Sequence, residues 1–269
     1  MSERQDIPHK IAEALRAIAG KTEKKYFTSA IILAAGSSSR MGAGLTKQFI
    51  ELDGLPVVAR TLIQFNRSSN IDEIIVVAKA DEIQNYDDFA KQYNITKPFK
   101  VIEGGATRQE SARKGVDAVS EKSKFIAIHD AARCLITEEL IHNVCHGAYL
   151  HGGAILAIKA VDTVKIGTKS LFIESTPDRS MTWQAQTPQV FKVNAFRAAT
   201  YVARDEGFEG TDDASLLEHI GIPVRLVEGS KENIKVTEPM DIYFAEAILR
   251  ARKDSSAKKQ ENNSEVNGK

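Results

Sequence analysis

The chain has 269 residues, with 36 Lys+Arg against 36 Asp+Glu and so zero formal net charge; 42% of residues are hydrophobic and 27% charged. That length suits one large domain or two small ones, and the charge balance argues against a polybasic nucleic-acid binder while leaving room for a local basic pocket. Cys134 and Cys145 lie outside any CxxC pattern, which excludes a disulfide scaffold or four-cysteine zinc site, and no apolar run nears the roughly 20 residues that span a bilayer.

At the start of the chain, Glu3, Asp6 and Glu13 and the lack of a long apolar stretch argue against a secretory signal or transit peptide, so a cytoplasmic location is expected. Ile11, Leu15 and Ile18 then recur at i, i+4 and i+7 before Gly20, the pattern of a short helix, and a polar linker fills 21–25. Residues 1–25 are read as an N-terminal extension and 26–251 as the main folded unit. Within that unit strand-like runs fall at 30–34, 73–78, 99–102, 125–129, 154–158 and 224–227. Helical periodicity lies at 57–65, 108–119, 138–150 and 240–250. This alternation predicts an α/β fold, a mainly parallel sheet with helices on both faces, and the continuous apolar runs fit strands buried on both sides. Between about 159 and 183 the alternation breaks: 164–166 and 171–173 are β-prone and flank Gly167 to Ser170, which predicts an inserted hairpin, or β-arm. A hairpin alone is marginal in water, so a second subunit is its natural support. Residues 252–269 hold one strong apolar residue, Val266, and are expected to be a disordered tail.

The chemistry collects after the strands. The first runs into Ala34, Ala35 and Gly36, then Ser37, Ser38, Ser39, Arg40, Met41, Gly42 and, further on, Lys47, Gln48 and Phe49. Small residues let backbone N–H groups approach a phosphate chain, Gly36 is expected to permit the turn, and ligands of open α/β sheets bind beyond the carboxyl ends of the strands. Neither GxxxxGK[ST] nor GxGxxG is present, because Ser38 stands at the second glycine position. Arg40 and Lys47 suit a triphosphate whose leaving group gains charge; the plainer reading is a loop with two solvated cations. Gly104, Gly105 and Ala106 form a second small-residue loop, with Thr107 as a possible N-cap and Ser111 one turn on. His129, Asp130, Ala131, Ala132 and Arg133 end a strand, where Asp130 suits a ribose hydroxyl or Mg²⁺, or else simply pairs with Arg133. Lys235 sits in a β-prone run, either facing an anion or exposed on an edge. His129, His142, His146 and His151 lack a carboxylate cluster and read as surface or packing residues, so no protein-built metal site is expected.

Together these segments closely resemble the 2-C-methyl-D-erythritol 4-phosphate cytidylyltransferase family. The resemblance rests on LAAGSSSRMGAGLTKQF (33–49), GGATRQES (104–111), HDAAR (129–133), DTVK (162–165), DRSMTWQAQTPQVF (178–191), GTDDASLLE (210–218) and VEGSKENIKVT (227–237), in order and without large gaps. It implies a Rossmann-like nucleotidyltransferase fold and a homodimer joined through the β-arm. It also implies transfer of CMP from CTP to 2-C-methyl-D-erythritol 4-phosphate, with Mg²⁺ bound mainly through the CTP phosphates. Matched by position, Arg40, Lys47 and Lys235 would be catalytic cations; Ala34, Ala35, Gly36, Gly104, Gly105, Ala106, Ser111 and Asp130 would border the nucleotide. Arg133, Thr163, Arg179 and Thr211 would bind the acceptor, Thr163 and Arg179 from the neighbouring subunit's arm. The family often has Pro where this chain has Cys134, and some members carry an acid at Ala106. An already ionised acceptor phosphate needs no nucleophilic side chain, which fits a sequence without GxSxG or a persuasive catalytic cysteine. The rivals are a cytidylyltransferase for another polyol phosphate such as ribitol 5-phosphate, where HDAVRPF and GQTPQSF would be expected, a dinucleotide-dependent oxidoreductase, and a non-catalytic CTP-sensing module. Nucleic acid and membrane are not expected partners.

Overall fold

The computed structural model describes residues 26–36 and 47–267, with side chains through 255 and that of Lys47 excepted. The helix expected at 11–18 and the segment 37–46, which includes Arg40, lie outside the described residues.

Seven strands form one sheet in the order β11-β7-β10-β6-β1-β4-β5. They are β1 (Thr28–Leu33), β4 (Glu73–Ala78), β5 (Phe99–Glu103), β6 (Phe125–Asp130), β7 (Gly153–Lys159), β10 (Trp183–Lys192) and β11 (Arg225–Glu228). Every pairing is parallel except the two made by β10, which runs against both β6 and β7. β4 and β6 are buried at every position and β1 at all but its last, because helices cover both faces. On one face, helices Val57–Arg67 and Glu138–His151 bring Val58, Leu62, Phe65, Ile141 and Val144 onto Ile32, Ile74 and Val76. On the other, Arg108–Asp117 and Val193–Asp205 bring Ala112, Val116, Phe196 and Ala199 onto Ile31, Ile75 and Ile128. Burial of these aliphatic side chains is the main term holding the layers together, at about 1.5–3 kcal/mol for each large one.

Among the described residues, the strands and helices expected between 30 and 250 are present. The additional ones include β10, the short strand pair at 51–56 and the helices Ile83–Gln92, Val193–Asp205 and Asp213–His219. Gln184, Gln186, Gln189 and Pro188 make β10 read as a loop, yet its register shifts between Ala185 and Gln189, the kind of irregularity at which a sheet accommodates proline. The segment around Lys235 is not a strand but an irregular loop, tied to the sheet edge where Val236 N–H donates to the Ala132 carbonyl at 2.9 Å.

Between β7 and β10 the predicted hairpin forms a separate pair, β8 (Ile166–Gly167) with β9 (Ile173–Ser175). Its apolar residues face outward, Leu171 94% and Phe172 74% exposed. A last short pair, β2 (Glu51–Leu52) and β3 (Leu55–Pro56), turns through Asp53 and Gly54 at φ 50° and 74°. The C-terminal helix spans Pro239–Asn267, so the backbone from 252 to 267 is helical where a disordered tail is expected. Poverty in apolar residues removes a reason to bury the segment, but Ala257, Lys258, Lys259, Gln260 and Glu261 are good helix formers and no proline or glycine interrupts them.

Candidate active site

Three parallel strands end at one rim of the sheet, and each hands its loop to the same place. β1 leads to Ala34, Ala35 and Gly36; β5 leads to Gly104, Gly105 and Ala106; β6 ends on Asp130. Ala34 N–H donates to the Val77 carbonyl and Gly104 N–H to that of Ala78, both at 2.8 Å, so the two small-residue loops leave the sheet side by side. They touch at Gly104. A Cβ there would lie 2.6 Å from Ala35 Cβ and 3.0 Å from Ser111 Oγ, whereas one on Gly36 would meet nothing within 4 Å. The close approach between the two loops is therefore at Gly104. Ser111 shapes the second loop, accepting from Gly105 N–H at 3.0 Å and donating to the Thr107 carbonyl at 2.9 Å. Thr107 is also the N-cap, accepting from Glu110 N–H at 3.1 Å. Gln48 closes the other side; its Nε2 donates to the Ala34 carbonyl at 2.6 Å while its buried Oε1 has no partner among the described residues.

These loops enclose a cavity of about 450 Å³ with Asp130, Arg108 and Lys235 in its wall. Asp130 is the electrostatic centre. Its Oδ2 lies 2.8 Å from Lys235 Nζ and 4.0 Å from Arg133 Nε, and its Oδ1 is 3.2 Å from Arg108 Nε. Burial opposes its ionisation, but the charges of Arg108, Lys235 and Arg133 outweigh burial and hold the carboxyl well below the usual range. Arg108 also reaches Asp213, Nη2 to Oδ2 at 2.7 Å. Burial raises the Asp213 carboxyl and Arg108 only partly counters it. Arg133 Nη1 donates to the Asn233 carbonyl at 2.8 Å, joining the loop after β6 to the loop that carries Lys235. Three cations thus face two carboxylates, and a phosphate would enter a field already net positive.

Asp130 is held in place from below. Its N–H donates to Thr187 Oγ1 at 3.1 Å, and that hydroxyl pairs with His129 Nδ1 at 3.0 Å. His129 Nε2 sits 3.2 Å from the Arg133 carbonyl, which can only accept, so the proton is on Nε2 and the Thr187 hydroxyl donates to Nδ1. Burial pushes the His129 pKa down to about 3, which keeps the ring neutral. His129 is accordingly a packing and hydrogen-bonding residue.

Lys235, Asp130, Ala35, Gly36, Gly105, Ala106 and Ser111 line the cavity, with Ala34, Gly104 and Arg133 directly behind them. Thr163, Arg179 and Thr211 do not line it. Thr163 and Arg179 are exposed on the arm, where Arg179 Nη1 donates to the Val161 carbonyl at 3.4 Å, and Thr211 is exposed ahead of Asp212. Arg40 is outside the described residues and Lys47 is described by its backbone alone. Sequence reasoning misses Arg108, Asp213, Gln48 and Thr187. A signal for Arg108 exists: it opens a helix, where a cation opposes the helix dipole and needs an anion. No group of three or more His, Cys, Asp or Glu side chains among the described residues could cage a metal ion.

Residues 28–251 match the family model described as IspD: 2-C-methyl-D-erythritol 4-phosphate cytidylyltransferase. A relative of that name from Geobacillus kaustophilus is 41% identical over 223 residues, covering 83% of this chain and 97% of its own. Another, from Caldanaerobacter subterraneus subsp. tengcongensis, is 40% identical and covers 82% and 98%. Among solved structures, the 4-diphosphocytidyl-2C-methyl-D-erythritol synthase of Anaerococcus prevotii superposes with a TM-score of 0.76 at 33% identity, covering 84% of this chain and 96% of that one. The 2-C-methyl-D-erythritol 4-phosphate cytidylyltransferase of Francisella tularensis gives 0.70 at 29% identity, covering 82% and 99%.

Proposed function

The chain belongs to the 2-C-methyl-D-erythritol 4-phosphate cytidylyltransferase family, and from that premise we propose how its residues transfer CMP from CTP to 2-C-methyl-D-erythritol 4-phosphate. An acceptor phosphate oxygen forms a bond to the α-phosphorus of CTP, the bond from that phosphorus to the bridging oxygen breaks, and pyrophosphate leaves. The observation that carries this reading is the Asp130 cluster, with Lys235 at 2.8 Å, set at the mouth of two touching small-residue loops. The acceptor oxygen is already ionised, so the protein supplies position and positive charge rather than a base.

In this reading Ala34, Ala35, Gly36 and the Gly104–Ala106 loop hold the nucleotide close to backbone, with Ser111 fixing the second loop's shape. Lys235 exchanges its Asp130 contact for the phosphates as charge builds on the leaving group, and Arg40 and Lys47 act from the first loop. Asp130, released from Lys235, still has Arg108 and offers an oxygen to ribose or metal. The donor set fits Mg²⁺, since a cation bound through CTP phosphates needs only one or two protein carboxylates and, among the described residues, Asp130 is the one in the cavity wall. When bound, that ion would neutralise phosphate charge. Arg133 and Thr211 would meet the acceptor. Leu171, Phe172 and Ile173, exposed on the arm, support a homodimer in which Thr163 and Arg179 reach the neighbouring subunit's acceptor phosphate. No helix among the described residues is long and apolar enough to cross a membrane, which accords with a cytoplasmic enzyme.

The test is pyrophosphate release from CTP and Mg²⁺ with either 2-C-methyl-D-erythritol 4-phosphate or ribitol 5-phosphate. Release with the first alone is expected. Release with ribitol 5-phosphate alone would move the acceptor, and CTP binding without release would leave a sensor.

A further inference from the structure

The family match ends at residue 251, and the next two residues make contacts that bear on the site. Helix Pro239–Asn267 lays Ile242, Ala245, Ile248 and Leu249 on a small apolar cluster that includes Leu52, Cys134, Leu135 and Val236. That cluster takes Leu52 from the β2–β3 pair, Cys134 and Leu135 from the loop after β6, and Val236 from the loop that carries Lys235. One turn beyond Ile248, Arg252 Nε donates to Glu232 Oε2 at 2.8 Å, and its Nη2 donates to the Leu135 carbonyl at 2.9 Å. Glu232 lies three residues before Lys235, and Leu135 lies two after Arg133. Beside it, Lys253 Nζ sits 2.6 Å from Asp53 Oδ2 in the β2–β3 turn.

We propose that Arg252 is a positioning residue for Lys235, its guanidinium clasping the Lys235 loop to the loop of Asp130 and Arg133 from outside the family's matched core. The proposal rests on the reading of Lys235 as a catalytic cation. Two bonds already join those loops inside the site, Arg133 Nη1 to the Asn233 carbonyl and Val236 N–H to the Ala132 carbonyl. Arg252 adds a third tie between the same loops through Glu232 and the Leu135 carbonyl, so the chain on both sides of Lys235 is anchored, at Glu232 and Asn233 before it and at Val236 after it. The Arg252 and Glu232 side chains are partly exposed, and such pairs add little to global stability. Their effect falls instead on local geometry, to which phosphoryl transfer is sensitive: displacement of a charged group by an ångström costs far more in rate than in binding.

The test compares full-length wild type, Arg252→Ala and Arg252→Lys. Arg113→Ala, which removes an exposed pair with Asp117 elsewhere, is the control. Steady-state pyrophosphate release should show kcat falling about fivefold to tenfold for Arg252→Ala with the KM for CTP changed less than about twofold, the signature of a loss felt in the transition state. Lysine, which keeps the charge and a donor, should recover most of it, and Arg113→Ala should leave kcat unchanged. Hydrogen exchange should show the amides of 233 and 236 opening about tenfold more often in Arg252→Ala, with β1 and β6 unaffected. Unchanged exchange at those two amides, or an unchanged kcat in an active enzyme, would overturn the clasp. Should wild type release no pyrophosphate, the functional reading fails while exchange at 233 and 236 still decides the contact.

Discussion

Replacing Arg108 with Met removes the cation shared by Asp130 and Asp213, and the structure says which acid suffers. Asp130 keeps Lys235 at 2.8 Å and Arg133 at 4.0 Å. Among the described residues Asp213 keeps nothing comparable: its side chain is 1% exposed, its Oδ2 is hydrogen-bonded to Arg108, and its buried Oδ1 has no hydrogen-bond partner there. Breaking a buried pair from one side costs about 3–5 kcal/mol, but Arg108 is 34% exposed and partly screened by water, so roughly 2–3 kcal/mol is expected. Urea unfolding at pH 7 would register this as a midpoint lower by about 1 M or more. Because burial raises the folded-state pKa of Asp213, protonation favours the folded form, and the deficit of Arg108→Met should shrink as pH falls below neutral. Adding Asp213→Asn should restore much of the loss. A deficit under about 0.5 kcal/mol, or a double variant as unstable as the two singles summed, would refute the assignment of that ion pair as the one supporting Asp213.

Burial holds His129 neutral with a pKa of about 3, against about 6.5 when unfolded, so the folded state binds fewer protons. Its contribution to stability is complete above about pH 6.5 and is lost as pH falls towards 3, at up to about 1.4 kcal/mol per unit; unfolding of wild type and His129→Gln at pH 7 and pH 5 should show the shallower slope in the variant. Gly104→Ala would drive a methyl to 2.6 Å from Ala35 Cβ, so a stability loss of about 1–3 kcal/mol and a raised KM for CTP are expected, read by unfolding and CTP titration. Serine at Leu171 and Phe172, 94% and 74% exposed, should yield a folded monomer by light scattering with weakened acceptor binding, and Arg179→Ala a raised acceptor KM alone. An unchanged mass would count against the arm as the dimer contact.

How much of this was legible in the sequence differs from segment to segment for physical reasons. β4 was read to its ends because Ile74 to Ala78 is an unbroken apolar run bounded by Glu73 and Lys79, and β6 was read to within one residue of Asp130. β10 was not, because only Val190 and Phe191 among its buried positions are strongly apolar, while Gln186, Thr187 and Gln189 are polar and bond to other segments: Gln189 to Asp212 and the Ala214 N–H, Thr187 to His129. A strand stabilised by buried hydrogen bonds has no hydrophobic period to detect. The site divides likewise. Asp130 and Lys235 stood out as charged residues in apolar runs, but that they meet, 105 positions apart, follows from the crossover that brings β11 beside β7 and returns the chain across the rim. Arg108 and Asp213 were hidden because a charged residue in a helix's first turn ordinarily faces water; only the packing of two helix N-termini onto one rim makes them partners.

The most direct measurement is the rate of pyrophosphate release by Lys235→Ala at saturating CTP, Mg²⁺ and 2-C-methyl-D-erythritol 4-phosphate, alongside its urea midpoint. If Lys235 acts on charge developing at the leaving group, the rate should fall by about 10²-fold or more, as when a preorganised charge donor is removed. The midpoint should stay near that of wild type, since Asp130 retains Arg108 at 3.2 Å. A rate within about threefold of wild type, or a loss that merely tracks unfolding, would contradict the account.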